Sequence, residues 1–256
     1  MAQLKERMQS GERLVLFASG RMFHPNIVKF VGMTGDFDGH WIDVEHTGFS
    51  WSEVESAVTA GLAFGLESFV RVPPTDYATV TRCFESGAVG VMAAQIQSAE
   101  HAAEFVSWAK FAPQGRRGLN PLGNDGRFGT IPLAEFAEQS NRDTFVAAQI
   151  ESLGAVEEVE DIAALDGIDM LFVGPSDLGQ ALGHIGDFMH PDCLAAIDRV
   201  AAACRTSGIQ WGAVTPTPEY ADLVIEKGCT VISPVNDVKL VTAGLGASKQ
   251  RFSMLW

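Results

Sequence analysis

The amino-acid sequence predicts an α/β protein folded as a (β/α)8 barrel of the TIM-barrel class, and three observations carry this prediction. Eight short apolar runs have the length and composition of buried parallel strands. Helical patterns lie between most of these runs, and a glycine stands shortly before several of them. Eight strands favour a closed barrel over an open doubly wound sheet, and 256 residues match the size of about 250 that is typical of such barrels.

The predicted strands are apolar runs that end at polar or turn-forming residues. In chain order they cover residues 13–19, 40–45, 68–72, 89–95, 145–151, 169–174, 210–214 and 230–235. A continuous apolar run is typical of a strand that is buried between a barrel interior and a surrounding layer of helices.

The predicted helices lie between these strands. Apolar residues at helical spacing cover residues 51–64, 76–86, 98–111, 155–166, 191–207 and 218–227. Ser52 and Glu55 predict a capping box near the start of the first of these helices. Thr217 before Pro218 predicts an N-cap at the start of the last one. Four glycines are expected in the left-handed conformation that ends a helix before the next strand: Gly87, Gly167, Gly208 and Gly228.

Four of the predicted strands end on side chains that are useful in catalysis. In chain order these are Asp43, Glu45 and His46, then Arg71, then Gln149 and Glu151, and finally Asp177. Because parallel strands all point the same way, we expect these side chains to meet at one end of the barrel, here called the rim. A base, a guanidinium and two carboxylates together suggest acid–base chemistry on a small anion, with a metal.

The connection between the fourth and fifth strands is longer than the others, at about fifty residues. Residues 112–130 within it are rich in glycine and proline and carry Arg116, Arg117 and Arg127. Because a long loop in a compact domain is commonly functional, we expect this one to leave or cover the rim. The sequence holds no linker or low-complexity segment, so we expect residues 1–256 to form a single domain.

Composition excludes several classes of partner. A net charge of −14 argues against nucleic acid and anionic membranes, which attract basic surfaces. The four cysteines are scattered without a CxxC pair, which indicates reduced, buried thiols. The N-terminal residues lack the apolar core of a signal peptide, and no apolar run reaches the roughly 18 residues of a membrane span. We therefore expect a cytoplasmic protein.

Glu151 and Asp177 are candidate metal ligands. Each follows an apolar strand, and the two strands are successive. Two carboxylates, completed by water and substrate oxygens, commonly hold Mg²⁺ or Mn²⁺. Position alone equally allows a salt bridge at the rim, for example between Glu151 and Arg71.

His46 is the candidate base, because histidine titrates near neutral pH and a carboxylate from Asp43 or Glu45 can fix its tautomer. The alternative is a histidine that only satisfies its hydrogen bonds at a strand end. The remaining histidines lack this context at the carboxylate rim: His24, His40, His101, His184 and His190.

Arg71 interrupts an apolar strand, where an unpaired guanidinium is costly, so it requires a partner. The forked guanidinium suits a substrate carboxylate or a developing enolate oxygen, and a structural ion pair at the barrel mouth is the alternative. Nearby, the turn at Gly174, Pro175 and Ser176 leads towards a helix and can expose backbone N–H groups to a carboxylate, although the proline contributes none.

In this order and spacing, WIDVEH, FVRVP, APQGRRG, QIES and FVGPSDL resemble the motifs of the metal-dependent class II pyruvate aldolases, the HpcH/HpaI family. This family includes 4-hydroxy-2-oxoheptanedioate aldolase and 2-keto-3-deoxy sugar-acid aldolases. The resemblance covers residues from about 13 to 245. It implies a (β/α)8 barrel of the phosphoenolpyruvate/pyruvate type, with a C-terminal helix swapped between subunits.

The resemblance also implies roles for four of the polar rim residues. Glu151 and Asp177 are implied to bind the divalent metal, which is Mg²⁺ or Mn²⁺, with Co²⁺ as a further candidate. His46, supported by Asp43, is implied to serve acid–base chemistry.

The remaining implied roles concern pyruvate. Arg71 is implied to contact the pyruvate carboxylate or the enolate oxygen. Gln149 and the turn formed by Gly174, Pro175 and Ser176 are implied to help hold pyruvate against the metal.

These inferences predict a lyase that reversibly cleaves a 4-hydroxy-2-oxo acid into pyruvate and an aldehyde. The metal and Arg71 would stabilise the enolate, and His46 would move the proton of the C4 hydroxyl. No lysine falls at the strand ends, which argues against a Schiff-base mechanism. The alternatives are an oxaloacetate-type decarboxylase that uses the same enolate, and a non-catalytic barrel that binds a keto acid. The presence of His46 argues against the non-catalytic barrel, because a protein that only binds a keto acid does not need a base.

The C-terminal segment predicts self-association. Phe252, Leu255 and Trp256 are apolar residues at a chain end, where such residues often pack against a neighbouring subunit. The resemblance implies a trimer or a hexamer, and a tail that folds back on its own barrel is the alternative.

Overall fold

The computed structural model describes residues 4–22 and 24–255, and its centre is a closed barrel of eight parallel strands. Strands that are neighbours along the chain pair with each other, and β8 closes the barrel against β1. The strands are β1 Leu14–Ser19, β2 Gly39–Asp43, β3 Ser68–Val72, β4 Gly90–Ala93, β5 Phe145–Ile150, β6 Met170–Val173, β7 Gln210–Val214 and β8 Val231–Asn236. All eight predicted strands and the predicted (β/α)8 class are confirmed.

Helices surround the barrel. In the described residues they are α1 Leu4–Gln9, α2 Pro25–Thr34, α3 Trp51–Leu62, α4 Tyr77–Glu85, α5 Ala99–Ala109, α6 Leu133–Asp143, α7 Leu153–Glu157, α8 Val159–Ala163, α9 Pro175–Ala181, α10 Pro191–Ser207, α11 Pro218–Glu226 and α12 Asp237–Arg251. Five of them, α3, α4, α5, α10 and α11, lie where apolar spacing predicts a helix.

Some helices differ from the predicted ones. The helix predicted over residues 155–166 is two short helices, α7 and α8, which meet at Glu158. Five helices, α1, α2, α6, α9 and α12, have no counterpart among the helices that apolar spacing predicts. Helices α1 and α9 have six and seven residues, too few for a helical period to show. Helix α12 is exposed along almost its whole length, so no buried apolar face marks it.

One predicted helix cap is wrong and one is confirmed. The capping box of α3 is formed by Ser50 and Glu53, two residues before the predicted pair Ser52 and Glu55. Both pairs fit the Ser-x-x-Glu pattern, but α3 begins at Trp51, which places Ser52 inside its first turn. The hydroxyl of Thr217 accepts from the backbone N–H of Tyr220 at 3.2 Å, as predicted. The four glycines predicted at helix ends all have positive φ: Gly87, Gly167, Gly208 and Gly228.

Large apolar side chains fill the barrel interior below the rim. The rings of Phe69 and Phe145 pack edge to face with their centroids 5.3 Å apart. Gly90 lies against Phe145, and a Cβ at this position would stand 2.4 Å from the phenyl ring, so only glycine leaves room for it. Because the interior is packed, a ligand can reach the barrel only at its ends.

A buried histidine joins the first three strands. The ring nitrogens of His40 lie 2.8 Å from Ser19 Oγ and 3.0 Å from Ser68 Oγ, and the ring stacks on Phe17. Burial lowers the pKa of His40 to about 3, which keeps the imidazole neutral at physiological pH. His40 is therefore a packing residue.

The long connection between β4 and β5 lies at the end of the barrel opposite the rim. The backbone N–H of Asn124 donates to the carbonyl of Glu85 at the end of α4, just before β4 starts. Arg117 is buried and pairs with Asp125 at 2.5 Å. The prediction that residues 112–130 leave or cover the rim is therefore wrong. These residues follow α5, so the chain has already returned to the N-terminal ends of the strands.

Two further expectations concern the chain as a whole. All four cysteines are free and buried, as their scattered positions predict. Among the helices of residues 4–22 and 24–255, none has the length and apolar composition needed to cross a membrane.

Candidate active site

Asp43 and Arg71 form a buried ion pair at the rim. They lie opposite each other on the neighbouring strands β2 and β3. Arg71 Nε donates to Asp43 Oδ1 at 3.1 Å and Arg71 Nη2 donates to Asp43 Oδ2 at 2.8 Å, the two-pronged geometry that favours this pair. The guanidinium also lies over the ring of Trp41, 5.0 Å from its centroid. These contacts fix the direction of the Arg71 side chain.

Glu45 links this ion pair to His46. Glu45 Oε2 lies 3.3 Å from Arg71 Nη1 and 3.5 Å from His46 Nε2. Asp43 Oδ1 accepts from the backbone N–H groups of Glu45 and His46, at 3.0 and 3.2 Å. Asp43 therefore holds the backbone beneath His46, whereas Glu45 faces the imidazole. The side chain of His46 is 55 % exposed, which leaves the ring accessible to a ligand.

Glu151 follows β5 and is buried. Its Oε1 accepts from the backbone N–H of Gln95 at 2.9 Å, and Gln95 has a φ of +50° in the left-handed region. Burial raises the pKa of Glu151 to about 8, and the carboxylates of Glu45 and Asp177 add to this effect. The hydrogen bond from Gln95 and the positive charge of Arg71 act in the opposite direction.

The salt bridge between Glu151 and Arg71 that the sequence leaves open does not form among the described residues. Arg71 is paired with Asp43 and Glu45 instead. Glu151 is therefore a buried carboxylate without a cationic side chain as its partner within the described part of the chain.

Two buried oxygen atoms at the end of β5 lack a hydrogen-bond partner in the described structure. They are Glu151 Oε2 and Gln149 Oε1. Gly174, which precedes α9, lies against them, and a Cβ there would stand 2.1 Å from Glu151 Oε2 and 2.5 Å from Gln149 Nε2. Leaving a buried carboxylate oxygen unpartnered is costly, and a bound cation removes that cost.

Asp177 lies in the first turn of α9 and is half-buried. Its carboxylate forms no hydrogen bond or ion pair with the described residues, yet it is close enough to raise the pKa of Glu151. Between Gly174 and Asp177, at the start of the same helix, Pro175 is buried and Ser176 is exposed. Two carboxylates, one with a free buried oxygen, suit a hard divalent cation, so the residues present fit such a metal.

The structure adds two residues to the candidate site that the sequence analysis did not single out. Trp41 supports the guanidinium of Arg71, and its own Nε1 donates to Ser233 Oγ at 2.8 Å. Gln95 orients Glu151 through its backbone. Gln95 carried a usable signal, because it is the polar residue on which the fourth predicted strand ends. Trp41 carried none, since one apolar residue in a buried strand looks like any other.

Fold and site together define a class, namely a β/α-barrel enzyme with candidate acid–base groups and candidate cation ligands at the rim. Residues 13–243 match the model of the HpcH/HpaI aldolase/citrate lyase family. The chain belongs to this family. It is a lyase of the aldolase type, as predicted, in a family of divalent-metal-dependent aldolases.

Named relatives and solved structures agree with this assignment. The chain is 32 % identical over 215 residues to a 5-keto-4-deoxy-D-glucarate aldolase of Klebsiella pneumoniae, covering 84 % of this chain and 83 % of the relative. It is 32 % identical over 205 residues to a 2-dehydro-3,6-dideoxy-6-sulfogluconate aldolase of Pseudomonas putida, covering 80 % of each. The crystal structure of an HpcH/HpaI aldolase from Desulfitobacterium hafniense superposes with a TM-score of 0.90 at 29 % identity, over 98 % of this chain and 96 % of that one.

Gly174→Ala is expected to damage the site while the barrel remains folded. The added methyl would overlap the carboxylate of Glu151 and the amide of Gln149, and displacements of about 1 Å at a reacting centre can reduce rates by about 10²-fold. We expect a loss of that order in kcat/KM and a weaker affinity for divalent cations in a calorimetric titration. Gly118→Ala, in the long β4–β5 connection, is the control, since a Cβ there meets only Tyr77 at an ordinary contact distance of 3.6 Å. Unchanged cation affinity in Gly174→Ala would contradict this role.

Proposed function

We propose that the chain catalyses reversible aldol cleavage of a 4-hydroxy-2-oxo acid into pyruvate and an aldehyde. The observation that carries this proposal is the pair of unpartnered buried oxygens, on Glu151 and Gln149, at the same rim as the fixed guanidinium of Arg71. An α-keto acid presents adjacent carboxylate and ketone oxygens, which a cation and a charged hydrogen-bond donor can bind together. The names of the two sugar-acid aldolase relatives support the same type of reaction.

Glu151 and Asp177 are proposed to hold the divalent cation, with Mg²⁺ and Mn²⁺ as the preferred ions and Co²⁺ as a further candidate. When bound, the cation supplies Lewis-acid stabilisation of the negative charge of the enolate. Glu151 can present Oε2 to it because the backbone N–H of Gln95 occupies Oε1. Ligands that consist of carboxylate oxygens suit hard ions of this kind.

Arg71 is proposed to bind the carboxylate or the enolate oxygen of pyruvate. As the C3–C4 bond breaks, negative charge moves onto the ketone oxygen. A guanidinium held in place by Asp43 and Glu45 needs little reorganisation to stabilise that charge. Gln149, on β5, and residues 174–176, which follow β6, are proposed to orient pyruvate at the same rim.

His46 is proposed to take the proton from the C4 hydroxyl during cleavage and to return it during synthesis. Its ring is half-exposed at the rim, and Glu45 lies within reach of Nε2. A carboxylate next to an imidazole can fix its tautomer and the orientation of the ring. Asp43 acts indirectly, since it holds the backbone of His46 and the guanidinium of Arg71.

Pyruvate release tests the proposal. A panel of 4-hydroxy-2-oxo acids, including acidic sugar derivatives, is incubated with the enzyme, and pyruvate is measured through NADH oxidation by lactate dehydrogenase. We expect activity that is lost after thorough treatment with a chelator and restored by Mg²⁺ or Mn²⁺. Activity that survives complete metal removal would exclude the metal role, and no pyruvate from any member of the panel would exclude the aldol reaction.

His46→Ala is expected to lower kcat by about 10²–10⁴-fold, which is the usual range for the loss of a general base. The exposed ring contributes little to packing, so the variant should unfold at the wild-type temperature. His101→Ala, on the outer helix α5, is the control and should retain full activity. Wild-type kcat in His46→Ala would show that another group moves the proton.

We also propose that the chain assembles as a trimer or hexamer in which α12 packs on a neighbouring subunit. Apart from Asp237, the residues of α12 are not buried, and Leu240, Val241 and Leu245 are exposed. An apolar groove of about 510 Å³ lies between α2 and α12. Phe252 and Leu255 are exposed as predicted, whereas Trp256 lies outside the described residues. Light scattering should report three or six copies, and a monomer at micromolar concentration would contradict the proposal.

The location of the protein and its domain organisation are also proposed here. We propose a reducing, cytoplasmic location, which the four free, buried thiols support. We also propose that residues 1–256 form a single domain, because β1 to β8 close one barrel between residues 14 and 236.

A further inference from the structure

A second group of metal-ligating side chains lies outside the candidate active site. His184, His190 and Asp192 place one ligand atom each within 4.8 Å of the others. His184 belongs to the segment that follows α9, His190 caps α10, and Asp192 lies in the first turn of α10. None of the three has a role in the proposed aldol reaction.

The distances within this cluster lie on either side of the edge length of a metal coordination tetrahedron, and the shorter one is a hydrogen-bond distance. Asp192 Oδ2 lies 2.8 Å from His184 Nε2 and 3.5 Å from His190 Nδ1. With zinc–ligand bonds of about 2.0–2.2 Å, neighbouring ligand atoms in a tetrahedron are separated by about 3.3–3.6 Å. The two imidazole rings stack at 17° with their centroids 3.3 Å apart, so one ring must turn about its Cβ–Cγ bond before both direct a nitrogen at one ion. An ion bound at His190 Nδ1 would replace the hydrogen bond that the backbone N–H of Asp192 donates to it at 3.2 Å.

The backbone holds the cluster in place before any ion arrives. The N–H of His184 donates to the carbonyl of Gly179 at 2.7 Å, and the N–H of His190 donates to the carbonyl of Asp187 at 3.1 Å. Gly183 and Gly186 adopt positive φ on either side of His184 and allow the chain to turn there. His184 and His190 are partly buried and Asp192 is exposed, which leaves solvent access for a water to complete the shell.

We propose that His184, His190 and Asp192 form a second cation site, selective for Zn²⁺ and distinct from the carboxylate site at the rim. Imidazole nitrogens prefer borderline ions such as Zn²⁺, whereas the two carboxylates at Glu151 and Asp177 prefer Mg²⁺ or Mn²⁺. A bound Zn²⁺ would tie the segment between α9 and α10 to the start of α10, and so would brace the helix that carries Asp177.

The test measures zinc in a chain from which the rim site has been removed. Glu151→Gln protein is dialysed against micromolar Zn²⁺ in the presence of millimolar Mg²⁺, and bound zinc is measured by elemental analysis. We expect one zinc per chain. His190→Asn in the same background removes the imidazole but keeps a good helix cap, and it should weaken zinc binding roughly 100-fold. His101→Asn is the control and should bind like its parent.

Cobalt provides a second readout that depends on geometry. Co²⁺ in a tetrahedral nitrogen–oxygen site gives strong visible absorption, and this absorption should appear in Glu151→Gln and disappear in Glu151→Gln/His190→Asn. If that double variant does not fold, Glu151→Gln/His184→Asn replaces it. The proposal is overturned if Glu151→Gln binds no zinc, or if neither histidine substitution changes its zinc affinity. Both results are independent of aldolase activity, because zinc binding is measured directly in a background that lacks the Glu151 carboxylate.

Discussion

Glu151→Gln is expected to abolish aldol cleavage, with kcat/KM reduced by about 10³-fold or more. The substitution keeps the size of the side chain and the oxygen that accepts from Gln95, but it removes the charge that would bind the cation. Loss of a Lewis acid that stabilises an enolate costs several kcal/mol of transition-state stabilisation, and each 1.36 kcal/mol is about a tenfold change in rate. Steady-state pyruvate release, together with a calorimetric Mn²⁺ titration, measures both consequences.

The matched control for this variant is Glu226→Gln. Glu226 is exposed near the end of α11, so its substitution should change neither activity nor Mn²⁺ binding. Because the pKa of Glu151 is raised towards 8 by burial, the neutral glutamine should be tolerated by the fold, and thermal unfolding should show an intact barrel. A folded Glu151→Gln variant that binds Mn²⁺ with wild-type affinity would remove Glu151 from the metal site.

The sequence was sufficient to predict the barrel because its strands carry a strong local signal. Most strands, such as β3 and β5, are buried on both faces, so they stand out as apolar runs between polar segments. Helix α12 shows the opposite case, since a helix without a buried face leaves no pattern. The sequence also predicted the wrong end of the barrel for residues 112–130. Their position follows from the direction of α5, which returns the chain to the N-terminal ends of the strands, and the composition of a loop does not reveal this.

The residues that gather at the candidate site were predictable from the sequence, but the ion pairs between them were not. Polar residues at the ends of parallel strands must gather at one rim, so Asp43, Arg71 and Glu151 could be named in advance. Which carboxylate pairs with Arg71 depends on register and side-chain direction. The register that places Asp43 opposite Arg71 leaves Glu151 with a free oxygen, and that free oxygen is the strongest physical indication of a cation site. The sequence alone left open whether Glu151 pairs with Arg71 or binds a metal.

Arg71→Lys is expected to reduce kcat by about 10²-fold while the protein remains folded. Lysine keeps the positive charge but offers a single compact ammonium, which cannot bridge both oxygens of Asp43 and also reach Glu45. The loss of one preorganised donor to a developing oxyanion typically costs about 10²–10³-fold in kcat. Pyruvate release kinetics that separate kcat from KM make the measurement, and Arg205→Lys, at an exposed position late in α10, is the control.

The division of the effect between kcat and KM decides what Arg71 does. If the guanidinium stabilises the enolate oxygen, Arg71→Lys lowers kcat and leaves KM nearly unchanged, because the charge that it meets exists only in the transition state. If it binds the pyruvate carboxylate, which is charged throughout, KM rises instead. If neither parameter moves and only the unfolding temperature falls, Arg71 is a structural ion pair, since breaking a buried pair is destabilising whether or not a substrate is bound.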